Sequence, residues 1–174
     1  MKTAIIIAAS IIGVIVLVFA VMALIGSQLP SAHTASRSIV LRQQRPNVYA
    51  VIRDFKSAPT WRSGVKSIEV IETPGQKLRF LEHGSDDVTY EVTEDVPNQR
   101  MVTRILNTDL GYSGQWTYEL TDENGATRVK ITEDGDVSNV LFRFMSRYIF
   151  GHTSTIDSYL AALAKKFGES ATPQ

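Results

Sequence analysis

The 174-residue chain contains no cysteine, three histidines and two tryptophans. The missing thiols exclude disulfides, cysteine-ligated zinc and thiolate nucleophiles together, although they leave the redox compartment open. No charge of one sign prevails: 18 basic and 18 acidic residues cancel. That balance leaves no electrostatic footprint for nucleic acid, which is not expected as a partner. Also missing are a His-Glu-x-x-His motif, a Gly-x-Ser-x-Gly elbow, a phosphate loop and a dinucleotide fingerprint. His33, His83 and His152 have no ligand spacing to one another. No metal site and no cofactor are expected.

Apolar content is present but unevenly placed. From Ala4 to Gly26 run 23 residues without a charge, with Ser10 the one clearly polar side chain. As a helix this run is about 34 Å long, enough for a hydrocarbon core of roughly 30 Å. A cleavable signal peptide has an apolar region of only about 7–15 residues. Here the run is longer, the charged n-region is Lys2 alone, and Val21-Met22-Ala23 lies inside the run rather than after it. A core helix would need a polar face, and none exists. Residues 1–27 therefore read as a transmembrane anchor that meets a lipid bilayer through residues 4–26. A single-pass protein follows, expected in a bacterial inner membrane. Lys2 favours an N-terminus inside, whereas Arg37, Arg42 and Arg45 favour the reverse by counting. The side stays open, with a lean toward an extracytoplasmic domain because those arginines belong to a folded segment.

Residues 28–34 read as a short linker, 35–167 as one domain and 168–174 as a flexible tail. Ser36–Leu41 has the pattern of a strand. Pro46 suits a first helical turn, and Val48, Val51, Ile52 and Phe55 follow at helical spacing. Ser57–Trp61 reads as a short helical turn. Alternating runs then mark strands at 67–72, 78–82, 88–94 and 101–105. The clearest hairpin joins Trp116-Tyr118-Leu120 to Val129-Ile131 through Asn124-Gly125. From Val140 to Phe167, apolar residues recur every three or four, which predicts one long helix. Ser138 or Asn139 can cap it, Gly168 can end it, and a bend is expected near Gly151.

The order strand, helix, short helix, six strands, long helix resembles the START-like superfamily, also called the polyketide cyclase/dehydrase and lipid-transport family. The local cues are Arg45–Phe55 followed by Trp61, then Ser113–Tyr118 and Gly125–Val129. The resemblance covers about Thr34 to Phe167. It implies an α+β helix-grip fold: a curved antiparallel seven-stranded sheet around a long C-terminal helix, here preceded by one transmembrane helix. It also implies a gap between sheet and helix. The expected lining is Phe80, Tyr90, Met101, Trp116, Tyr118 and Ile131 from strands, with Phe144, Met145, Tyr148 and Ile156 from the helix. The alternative is that these side chains simply fill a core.

Two polar residues bear on chemistry. Glu133 shares parity with Val129 and Ile131, so it either points inward or is solvated beside Asp134 and Asp136. Arg104 is its possible partner if the inward parity of its strand runs through Val102. Such a pair would orient a polar head group, or Glu133 would serve as a base. His152 on an apolar face reads as a core histidine. Three functions remain: a membrane-tethered domain binding a lipid or other hydrophobic small molecule, a cyclase/aromatase-like enzyme using Glu133, or a protein-interaction module with a filled core. The first is the expectation taken forward, because tethering raises the local concentration of a membrane-dissolved ligand.

Overall fold

A computed structural model describes residues 2–174. Helix α1 (Lys2–Gln28) is long and apolar enough to cross a membrane over Ile5–Gln28. Its described side chains are exposed along most of its length, so the domain does not cover them, and a helix with no polar face needs an apolar surrounding from elsewhere.

Seven strands follow: β1 (Ala32–Leu41), β2 (Ser67–Ile71), β3 (Arg79–His83), β4 (Asp87–Val96), β5 (Arg100–Ile105), β6 (Tyr112–Glu123) and β7 (Ala126–Val137). They form one antiparallel sheet in the order β1-β7-β6-β5-β4-β3-β2. Only β1 breaks the meander, crossing to pair with β7 along its whole length. The β6–β7 turn is the expected Asn124-Gly125 pair, with φ of 51° and 83°. A register shift between Val92 and Glu94 marks a bulge in β4, which bends the sheet locally.

Helix α2 (Arg45–Arg53) carries Pro46 in its first turn and buries Val48, Tyr49 and Ile52. A 3-10 turn at Phe55–Thr60 follows and buries Phe55 and Ala58. The periodic segment after β7 is divided rather than continuous. It forms α3 (Val140–Met145), a π-turn (Ser146–Phe150) and α4 (Ser154–Lys166). Asn139 caps α3 by accepting from the Leu141 and Phe142 backbone amides at 2.9 and 3.2 Å. The interruption falls at Gly151, but only α4 grips the sheet, burying Ile156, Tyr159, Leu160 and Leu163. Helix α3 packs instead against α1.

The strand expected from Ser36 begins at Ala32, inside the stretch read as linker. Polar cross-strand contacts hold its first residues where apolar alternation is absent: Ser31 Oγ donates to Asp136 at 2.8 Å and Thr34 Oγ1 to Asp134 at 2.8 Å. Residues 168–174 also return to the sheet. Gln174 exchanges two backbone hydrogen bonds with Ser38, each 2.9 Å.

Candidate functional site

Between the sheet, the 3-10 turn and the start of α4 lies a cavity of about 500 Å³. Its size falls in the usual range for small-molecule sites, roughly 300–1,000 Å³. Alternation along the strands supplies its walls: Phe80 and Glu82 from β3, Val88 and Tyr90 from β4, Thr103 and Ile105 from β5, Trp116 and Tyr118 from β6. Ile52, Phe55, Ala58 and Trp61 close one side, and Thr155 and Tyr159 of α4 close another. Exposed lining residues mark the mouth, between the β3–β4 turn (Gly84–Asp86) and the segment bearing Phe142, Phe150 and Gly151.

The cavity has two polar stations. At the first, Arg62 holds Glu82 through two hydrogen bonds of 2.6 and 3.0 Å, with side chains 25% and 14% exposed. Planar, bidentate geometry makes this stronger than an ordinary surface pair. Burial alone would lower the Arg62 pKa, but the paired carboxylate overrides it and raises it. The guanidinium also lies 5.2 Å from the centre of the Tyr159 ring. Desolvation pushes Tyr118 up to about 12 and raises Tyr90 and Tyr159 further, so all three hydroxyls stay neutral at physiological pH.

The second station lies near the end of α1. Glu133 points inward: it accepts from Trp116 Nε1 at 2.7 Å and pairs with His33 Nε2 at 3.1 Å. The His33 ring stacks on His152 with centroids 4.3 Å apart. Gly135 permits that approach, because a Cβ there would stand 2.5 Å from the His33 ring. Desolvation, the neighbouring His33 and Arg147 hold His152 below the ordinary histidine value, against an opposing pull from Glu133. Among the described residues, the buried side-chain nitrogens with no hydrogen-bond partner are His33 Nδ1, Trp61 Nε1 and His152 Nδ1. All three belong to residues on the cavity wall.

Of the expected lining, Phe80, Tyr90, Trp116 and Tyr118 face the cavity together with Glu133. Ile131 is fully buried in the core beside it. Arg104 is exposed on the outer face, because the inward parity of β5 runs through Met101, Thr103 and Ile105. In register Arg104 stands opposite Glu91, so it cannot partner Glu133. Phe144 and Tyr148 also lie away from the cavity, since the chain leaves the sheet before α3 and returns only at α4. Met101 and Ile156 fill the core, and Met145 stays with α3. The structure adds Arg62, Glu82, Tyr159 and His33 to the site, beyond the residues expected from the sequence. Parity could have found two of them: Glu82 follows Phe80, and His33 and Ala35 continue the inward series of Ile39 and Leu41. Arg62 lies in an irregular turn, where no period exists to read.

The sheet, the helix laid across it and the cavity between them define the START-like, helix-grip class of domain. Residues 32–168 match the model of the family described as polyketide cyclase / dehydrase and lipid transport, and the chain belongs to that family. Solved structures of the same fold include a START superfamily protein from Mycobacterium smegmatis. It is 11% identical, with a TM-score of 0.61, over 77% of this chain and 96% of that one. The Zhui aromatase/cyclase from Streptomyces sp. R1128 gives 11% identity and 0.61 over 78% and 93% of the two chains. A truncated norcoclaurine synthase from Thalictrum flavum gives 12% and 0.63 over 80% and 96%. At such identities the likeness is one of fold. A search of curated proteins finds no match.

Proposed function

We propose that the chain is a membrane-tethered domain that binds a lipid or other hydrophobic small molecule, taken from the bilayer beside it. The observation that carries this reading is the cavity itself, about 500 Å³ in volume, with Phe55, Phe80, Tyr90, Trp116 and Tyr118 on its walls and the Arg62–Glu82 and His33–Glu133 pairs as its polar stations. A mostly apolar ligand would lay its body on the aromatic wall and turn a polar end toward one of those pairs. Helix α1 supports the tether, because its span suits a bilayer and it ends only a few residues before β1.

Both tryptophans line the cavity, so the test has a built-in reporter. Titration of the full chain in nanodiscs with a dansyl-labelled fatty acid should give saturable energy transfer from tryptophan. Direct dansyl emission should show Trp116→Ala weakening binding more than Tyr49→Ala, since Tyr49 packs in the core and bonds Asp95 away from the cavity. Equal weakening would count against the cavity as the binding site.

A second reading rests on Glu133 and His33, hydrogen-bonded to each other on the wall. In that reading the pair moves a proton on a bound substrate, as a cyclase-like enzyme would require. Both carboxylate oxygens are already engaged, by Trp116 and His33, which suits orientation better than proton transfer. Loss of turnover in Glu133→Gln with stability nearly intact would favour the enzyme.

A further inference from the structure

The sharpest unexplained feature beyond the cavity interior is an apolar patch on the segment between β7 and α4, reaching the cavity's rim. Phe142, Tyr148, Ile149 and Phe150 are 48%, 59%, 58% and 59% exposed. Apart from α1, such a concentration of large exposed apolar side chains occurs nowhere else among the described residues. A water-facing surface rarely carries one. The same stretch carries no carboxylate: from Val137 to Ile156 there is no Asp or Glu, while Arg143 and Arg147 are present.

Its height relative to the membrane is fixed by a contact. Helix α3 packs on the last turns of α1, covering Met22, Ala23 and Gly26. Gly26 is buried, and a Cβ there would lie 2.0 Å from the Val140 carbonyl oxygen, so the two backbones meet closely. Arg143 locks the junction, donating from Nη1 to the Leu29 carbonyl at 3.3 Å and from Nε to the Val137 carbonyl at 2.6 Å. The 24-residue span of α1 is about 36 Å long against a hydrocarbon core of roughly 30 Å. Met22–Gly26 therefore stand at the edge of the hydrocarbon, and so does α3.

We infer that Val140–Phe150 is an interfacial segment that lies in the leaflet where α1 emerges. Phe142, Ile149 and Phe150 enter the acyl boundary, Tyr148 sits at the headgroup level, and exposed Arg147 reaches anionic headgroups. Phe142 and Phe150 also rim the cavity. The mouth thus faces lipid, and a ligand passes between leaflet and cavity without crossing water. The occupant is the bilayer itself, because the patch is continuous with the helix that crosses it. This inference rests on the membrane reading of α1.

The absence of cysteine makes single spin labels unambiguous. Ile149→Cys and Phe150→Cys would be labelled in the full chain in phosphatidylcholine/phosphatidylglycerol nanodiscs, beside Ile12→Cys in the span and Thr121→Cys near the far hairpin. Collision with oxygen and with a water-soluble nickel chelate reads depth. The expected result is a several-fold preference for oxygen at 12, 149 and 150, and a preference for nickel at 121. Oxygen preference at 12 with nickel preference at 149 and 150 would overturn the interfacial segment while leaving the anchor intact. Nickel access at 12 would overturn the anchor and this inference together. Spin–spin broadening at 149 that persists on dilution with unlabelled lipid would assign the patch to a second copy of the chain and overturn lipid docking.

Discussion

Strands β6 and β7 run the length of the domain, and their two halves face different surroundings. Toward the Asn124-Gly125 hairpin, Leu120 and Val129 meet Leu41, Leu160 and Leu163, all at most 2% exposed. This half is filled as closely as any protein interior. Toward the end nearest α1, Trp116 and Glu133 face a cavity instead, with His33 and His152 completing the wall. The same inward alternation supplies both halves. The difference is what covers them: α4 lies over the first, while the chain between β7 and α4 swings out to α1 and leaves the second hollow. A period-2 pattern decides which residues point inward, and the covering element decides whether they meet protein or space.

Substitutions can break this contrast in graded ways. The largest effect is expected at Leu160→Ala, which should cost about 2–5 kcal/mol by leaving a void in the filled half. Urea denaturation measures it, and a loss below 1 kcal/mol would mean that half is looser than its burial implies. Next is the Arg62–Glu82 pair at the hollow end. Removing one partner of a buried pair costs about 3–5 kcal/mol. With these side chains partly exposed, about 1–3 kcal/mol is expected for Glu82→Gln once solvent screening is allowed for. Arg62→Met with Glu82→Leu should recover most of that loss, and the double-mutant cycle tests it.

A smaller effect concerns pH. Because burial holds His152 below its ordinary value of 6.5, the folded state binds fewer protons there than the unfolded chain. Its contribution is complete above that value and is lost as pH falls through the folded value. His83 acts in the opposite sense: hydrogen bonds to Asp87 and Glu69 raise it, so its contribution fades as pH rises. The melting temperature should therefore fall from pH 7.5 to 5.5 less in His152→Gln than in the wild type. An unchanged pH slope would remove His152 from the buried wall. The smallest effect is expected at Trp61→Phe. It deletes an unpartnered buried N–H, so stability should hold within about 0.5 kcal/mol or rise slightly. Probe affinity should fall all the same, which separates the ligand's use of that wall from the fold's.

How much was legible follows the same division. The seven strands, the Asn124-Gly125 turn, Pro46 and a helix cap at Ser138 or Asn139 are readable because each depends on a few neighbouring residues, and the structure selects Asn139. Phe80, Tyr90, Trp116 and Tyr118 were readable as inward by parity. The start of β1 is not readable, since it is held by polar pairs, Ser31 with Asp136 and Thr34 with Asp134, rather than by apolar alternation. The path of α3 was not legible either. Its helical periodicity fits packing on α1 as well as on the sheet, and spacing does not name the surface that a face will meet. Arg62 reaches Glu82 from an irregular turn, a contact that only tertiary structure specifies. The sequence admits two readings of Glu133, and its hydrogen bonds to Trp116 and His33 decide between them.

The most direct test of the hollow half as a ligand site is native mass spectrometry of the full chain, purified from membranes and released from its micelle in the gas phase. A discrete added mass that disappears on organic extraction is predicted, and its value would give the ligand class. A chain that stays at its bare mass after incubation with a lipid extract would contradict a binding cavity.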